Sequence, residues 1–283
     1  MSVESSIIPI RDVIFEHRVY LPSVGAIVAF GTAVFRVFHR ATEQQSNRAV
    51  VKGKTAVLLH YCSAALIVIA LSVATYQRNT IWKDEVSLWE DVVRKSPNKA
   101  RGYDNLAASY IKADRNQEAI EYLIKALSID PLYPEAYNDL GQVFINLRDY
   151  SRSIEFLRRA IELKPDFVSA YNNLGIAYAK LGNREKAIEA FKTALDINPL
   201  YLFAIINLGN EYMLTGYYHK ATYLYTKALE MDPTNPQIYY NLGLLHEKLG
   251  KYKEAIEFYS QALKIKPDYF EARKNLESLI KIK

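Results

Sequence analysis

Residues 168–201 read VSAYNNLGIAYAKLGNREKAIEAFKTALDINPLY. Tyr171, Leu174, Gly175 and Tyr178 fall at i, i+3, i+4 and i+7, which is one face of a first helix. Gly182 and Asn183 interrupt it. Ala187, Phe191 and Ala194 then share a face of a second helix, and Pro199 ends the unit. The small residues let the two helices approach closely, and the large ones fill the remaining space.

Outward from this stretch the pattern recurs with a period of 34 residues. Pro131, Pro165, Pro199, Pro233 and Pro267 mark it. Five residues before each stands Ala126, Ala160, Ala194, Ala228 or Ala262, and twelve before stands Ala119, Ser153, Ala187, Ala221 or Ala255. Leu106, Leu140, Leu174, Leu208 and Leu242 are each followed by a small residue: Ala107, Gly141, Gly175, Gly209 and Gly243.

Five copies without an insertion resemble the tetratricopeptide repeat over residues 100–269. One hairpin of this kind cannot bury its own apolar face, so neighbours must stack. The resemblance implies an all-α fold, a right-handed solenoid with a concave and a convex side. In residues 77–99, Trp89 and Val92 take the places of Phe191 and Ala194, which predicts the second helix of an incomplete repeat. Its first helix would then be the preceding apolar segment. Residues 270–283 repeat only a first helix, with Arg273, Lys274 and Glu277 suited to a terminal cap.

Composition sets the outer bounds. Of 283 residues, 50% are hydrophobic, too many for a disordered chain. The net charge is +5, but residues 100–283 hold 24 Lys and Arg against 23 Asp and Glu. A near-neutral array argues against a nucleic-acid surface. A single cysteine, Cys62, excludes an internal disulfide, and five scattered histidines give no metal-ligand spacing. No phosphate loop, nucleophile elbow or catalytic carboxylate pair is visible. The expectation is a chain with no metal, no cofactor and no catalytic residue of its own.

Residues 1–18 carry charges throughout, unlike a signal peptide. Residues 19–76 predict two membrane-spanning helices. Residues 19–38 are mostly apolar, and residues 55–76 are 22 positions without a formal charge, against about 20 needed to cross a hydrocarbon core. The loop between them, residues 36–54, holds Arg36, Arg40, Arg48, Lys52 and Lys54 against Glu43. Positive loops stay cytoplasmic, which places the N-terminus and the repeats on the extracytoplasmic side.

Residues 10–26, IRDVIFEHRVYLPSVGA, and residues 75–100, TYQRNTIWKDEVSLWEDVVRKSPNKA, flank the apolar segments and lead into the repeats. In this order they resemble the C-terminal part of the transmembrane and tetratricopeptide-repeat O-mannosyltransferases, nearer to bacterial relatives. The resemblance implies a polytopic glycosyltransferase whose catalytic acids lie upstream of anything here, so no position inherits them. Glu16, His17, Arg18 and Tyr20 match a family signature at the extracytoplasmic end of a late span. They are candidates for a polar site at the membrane surface; ordinary juxtamembrane charge is the plainer reading.

The residue before each repeat leucine is Asn105, Asp139, Asn173, Asn207 or Asn241, and Asn275 in the cap. An amide offers a donor and an acceptor side by side. Spaced along a groove, such amides match the backbone of an extended peptide, whatever its sequence. The array resembles the asparagine ladder of the O-linked N-acetylglucosamine transferase, and the expectation is a peptide-binding groove whose ladder side chains are solvated. Asp139 breaks the pattern, and Phe203, Ile206 and Tyr240 make the C-terminal half less polar. The tyrosines Tyr103, Tyr137, Tyr171 and Tyr239 hold an inter-helix position and predict packing rather than sugar stacking. Two functions follow. One is a membrane-anchored, non-catalytic scaffold for a protein or extended peptide. The other is the substrate-presenting end of a membrane glycosyltransferase.

Overall fold

The computed structural model describes residues 65–73 and 84–281. The chain divides into two units, 1–83 and 84–283. Of the first, residues 65–73 are helical, and their apolar side chains are exposed, Leu66 to 65% and Leu71 to 62%. Among the described residues no helix is long and apolar enough to cross a membrane. The predicted span 19–38, most of 55–76, the basic loop 36–54 and the residues Glu16, His17, Arg18 and Tyr20 lie outside the described residues.

The second unit holds twelve helices and, among the described residues, no strand. They are α1 (Glu85–Lys95), α2 (Ala100–Lys112), α3 (Asn116–Ile129), α4 (Pro134–Asn146), α5 (Tyr150–Leu163), α6 (Val168–Lys180), α7 (Arg184–Ile197), α8 (Leu202–Leu214), α9 (Tyr218–Met231), α10 (Pro236–Lys248), α11 (Tyr252–Ile265) and α12 (Phe270–Lys281). Helices α2 to α11 form five antiparallel hairpins, one per sequence repeat, and α12 closes the array. Helix α1 packs against α2, where Tyr110 donates to Glu90 at 2.9 Å and Lys112 pairs with Glu85 at 2.7 Å. Trp89 is buried at 6% exposure. Asp84 caps α1 through a reciprocal bond pair with Ser87.

Close approach explains the small residue after each leucine. A Cβ added at Gly175 would stand 2.5 Å from the Phe191 ring, and at Gly209 it would stand 2.7 Å from Tyr225. The first and second helices of a repeat therefore touch backbone to ring. Ala119, Ala126, Ala187, Ala194, Ala221 and Ala228 are fully buried on the facing side. Ser153 holds the alanine place in the second repeat and is equally buried; its hydroxyl donates to the Gly141 carbonyl at 2.9 Å. A buried hydroxyl needs such a partner. The tyrosine stripe packs as expected. Tyr137 and Tyr239 donate to the carbonyls of Pro131 and Pro233, tying each first helix to the preceding turn.

Candidate functional site

Each first helix touches the first helix of the next repeat, from α2 to α10, while each second helix makes its inter-repeat contacts with the following first helix. The first helices are therefore the more closely spaced row and line the inside of the curve. The ladder position lies on this row.

The ladder amides are not simply solvated, and this corrects the expectation. Asn173 and Asn241 are only 8% and 5% exposed; Asn105, Asp139, Asn207 and Asn275 are half-buried. Each amide from Asn173 onward spends an N–H on the preceding repeat. Asn173 donates to Asn138 Oδ1 at 3.0 Å, and Asn207 to Asn172 Oδ1 at 3.0 Å. The acceptor in both cases is the residue just before the ladder position of the earlier repeat. In the fourth repeat that place is Ile206, and Asn241 turns to Asn210 Oδ1 at 3.0 Å instead. In the fifth it is Tyr240, and Asn275 reaches the Tyr259 hydroxyl at 3.4 Å. All four donors point toward the N-terminus of the array.

The C-terminal half carries a second feature that sequence reasoning missed. Leu123, Leu157 and Phe191 fill the inter-helix site of repeats one to three, but Tyr225 and Tyr259 fill it in repeats four and five. Their rings are fully buried, and their hydroxyls bond to the first helix of their own repeat. Tyr225 donates to Asn210 Oδ1 at 2.6 Å and Tyr259 to Glu247 Oε2 at 2.7 Å. Burial raises both phenols far above the ordinary range, so both remain donors at any physiological pH. Tyr240 packs between Tyr259 and Tyr269, with ring centres 5.8 and 5.1 Å away.

The first two repeats meet differently. Asp139 holds the ladder place of α4, and Asp104 holds the acceptor place of α2. Asp104 is 7% exposed; its Oδ2 accepts from the Tyr133 hydroxyl at 3.1 Å, and its buried Oδ1 has no partner. Asp139 accepts from Asn138 at 3.0 Å. Burial, with the Asp139 charge adding to it, raises the Asp104 carboxyl to about 7, against the pull of Tyr133 and Arg101. Burial also raises Asp139, with Glu135 adding to it and the Asn138 amide opposing. Glu135 itself pairs with Lys164 at 3.2 Å. An adjacent pair of acids at these two places is visible in the sequence, and the register of the repeats is the signal that could have joined them.

Comparison with known proteins is decisive for the fold. Tetratricopeptide-repeat family models match residues 100–131, 168–201 and 236–269, and a further TPR repeat model matches 149–182 and 209–250. The chain is a tetratricopeptide-repeat protein. This TPR chain is 29% identical over 119 residues to the protein O-mannosyl-transferase Tmtc2 of Drosophila melanogaster and 30% identical over 124 residues to Tmtc1 of the same organism. Those matches take in 42% and 44% of this chain but only 11% and 13% of the relatives, so the chain corresponds to a small part of their length. Among solved structures, a thermophilic TPR protein of Thermus thermophilus superposes with a TM-score of 0.58 at 24% identity, covering 64% of this chain and 98% of that one. PilF of Pseudomonas aeruginosa does so at 0.57 and 18% identity, covering 74% and 95%. At these identities the likeness concerns the fold.

Proposed function

We propose that this TPR chain is a membrane-anchored scaffold that holds an extended peptide or protein segment along its ladder groove, outside the cytoplasm, and performs no chemistry itself. One observation carries the reading. Asn173, Asn207 and Asn241 stand at a constant spacing with one N–H of each fixed on the neighbouring repeat. That bond sets the orientation of the amide plane. In Asn173 and Asn207, whose partners hold equivalent places, the remaining acceptor and N–H are then held in one repeated orientation, which suits a regular backbone more than any particular side chain. Phe203, 64% exposed, gives the same face an apolar contact. The exposed apolar run of residues 65–73 supports the membrane anchor, because water is a poor neighbour for such a surface.

The experiment has two arms. Peptides of varied sequence are titrated onto the full chain, and onto a variant with Asn207→Ala, the least buried of the three interior amides. Losing about one hydrogen bond weakens binding by roughly threefold to tenfold whatever the peptide sequence. Unchanged binding would remove the ladder from the function. For topology, in a Cys62→Ser background, a cysteine substituted for Ser46 is expected to react only from the cytoplasmic side and one for Lys283 only from outside.

The similarity to the O-mannosyl-transferases favours a second reading, in which the groove presents a substrate chain to a membrane glycosyltransferase. Co-purification of mannosyl transfer activity with the full chain, and its loss on competition with groove-binding peptides, would select that reading.

A further inference from the structure

We propose that Asp104 and Asp139 form a subsite at the N-terminal end of the groove that takes an ammonium group of the bound chain, from a lysine side chain or a free amino terminus. This rests on the groove being a peptide-binding surface and adds charge and direction to it.

The register of the array makes the case. The ladder residue of one repeat donates to the residue before the ladder position of the repeat ahead, as in Asn173 to Asn138 and Asn207 to Asn172. Asp139 and Asp104 hold those two places in α4 and α2. When ionised, both are acceptors only. One oxygen of the acceptor-place residue, Asp104 Oδ1, is buried without a partner. A group in that condition calls for an explanation beyond stability. An asparagine at position 139 would close the bridge as in the other repeats, so the acid gives up a structural bond and retains a charge.

The surroundings fit a small organic cation. Asp104 faces Tyr133 from the turn before α4, Arg101 on its own helix, and Glu135 and Asp139 on α4. Lys164 is engaged by Glu135. Asp139 is half-buried and Asp104 is 7% exposed. Among the described residues no group of three His, Cys, Asp or Glu side chains is placed to hold a metal ion. An ammonium carries one positive charge and three donors. It would supply the missing donor to Asp104 Oδ1 and bond Asp139 at the same time. Without it, the pair relieves its repulsion by holding a proton. Cation and proton therefore compete for the same place.

Three peptides test this on the full chain by titration into the millimolar range. They are a doubly capped oligoalanine peptide with one central lysine, its acetyl-lysine counterpart, and the acetyl-lysine peptide with a free α-amino group, and the same three peptides are titrated against Asp139→Asn. The lysine peptide, the free-amino peptide or both are expected to bind about tenfold tighter than the neutral one, as for hydrogen bonds to charged groups. For the lysine peptide that advantage should grow between about pH 5 and about pH 8 as the competing proton leaves, and in Asp139→Asn the ratio of lysine-peptide to acetyl-lysine-peptide affinity should fall to about one. Which of the two cationic peptides gains identifies the source of the ammonium. Equal binding of charged and neutral peptides, or an advantage that survives Asp139→Asn, overturns the subsite and leaves the groove. Binding of none of the peptides overturns both.

Discussion

Repeats one and two differ from repeats three to five at equivalent places. From α4 onward every pair of neighbouring repeats is joined by a side-chain amide on the groove side; between α2 and α4 two carboxyls take that place. The turn after each first helix shows the same division. Gly182, Gly216 and Gly250 take positive φ in repeats three to five, while Asp114 (φ 56) and Arg148 (φ 61) hold that left-handed position in the first two. Side chains are costly there and glycine is not. In a solenoid, stability is a sum of intrinsic repeat terms and nearest-neighbour terms. The N-terminal repeats thus lose on both counts relative to the C-terminal ones. The lesson is that identical backbone repeats are not energetically identical. The weaker region coincides with the site proposed to take a charged ligand.

The largest expected effect lies in the stronger region. Asn173→Ala removes the donor that satisfies the buried Asn138 carbonyl, and Asn241→Ala removes one of two donors to Asn210. Each should destabilise by about 1–3 kcal/mol, read by thermal melting of the full chain. Asn105, in the first repeat, shows no side-chain bond of this kind among the described residues. Asn105→Ala should stay within about 0.5 kcal/mol. Equal effects at all three positions would erase the distinction between the two regions.

The next effect is a pH dependence confined to the weaker region. The Asp104 carboxyl is raised from 3.8 to about 7 by burial first and by Asp139 second. The folded chain therefore holds this proton more tightly than the unfolded chain. Its contribution to stability is complete below about pH 4 and is lost as the pH rises through about 7. Comparing the melting temperature of wild type and Asp104→Asn across that window isolates it. The two curves should diverge toward low pH, with the wild type gaining more than the variant, in which Asp139 still takes up its own proton, and parallel curves would refute the assignment.

Much of this is legible in the sequence. The 34-residue spacing of Pro131 to Pro267, the glycines facing Phe191 and Tyr225, and the replacement of Ala by Ser153 all follow from helix periodicity and local packing. Partner choice along the groove is not. Which residue Asn173 meets depends on the small rise and rotation between repeats, and no single repeat encodes it. The result is a contact between positions 35 apart in sequence for Asn173 and 31 apart for Asn241. For the same reason spacing alone suggests a solvated ladder, and Asp104, one place before the ladder position, joins Asp139 only once the register of the bridges is known.

Asp139→Asn tests the junction directly. It puts a donor at the ladder place, as in the later repeats, beside an Asp104 that has one unpartnered oxygen, and ends the repulsion between two acids. One new hydrogen bond and the lost repulsion together should stabilise the fold by about 1–2 kcal/mol. The gain should be present at neutral pH and shrink in acid, where a proton already relieves the pair. A destabilised variant would show that the two acids are held by contacts other than those described.

The smallest effect concerns the turns and separates backbone strain from the groove altogether. Arg148 holds a left-handed conformation that costs a side chain about 1–2 kcal/mol. Arg148→Gly removes that strain but loosens the unfolded chain by roughly 0.5–1 kcal/mol. The net gain should be about 0.5 kcal/mol. The converse change, Gly182→Ala, meets no atom within 4 Å of the added Cβ, so crowding cannot explain its effect. It should cost about 1 kcal/mol through φ alone. Asp114 is a poorer test, because it accepts from Asn116 at 2.9 Å and aspartate tolerates this conformation better than most residues. Peptide binding should be indifferent to both changes, since this turn lies off the first-helix row that lines the groove. If Arg148→Gly lowered the melting temperature, or Gly182→Ala left it unchanged, the turns would drop out of the comparison. The difference between the two regions would then rest on the acid pair alone.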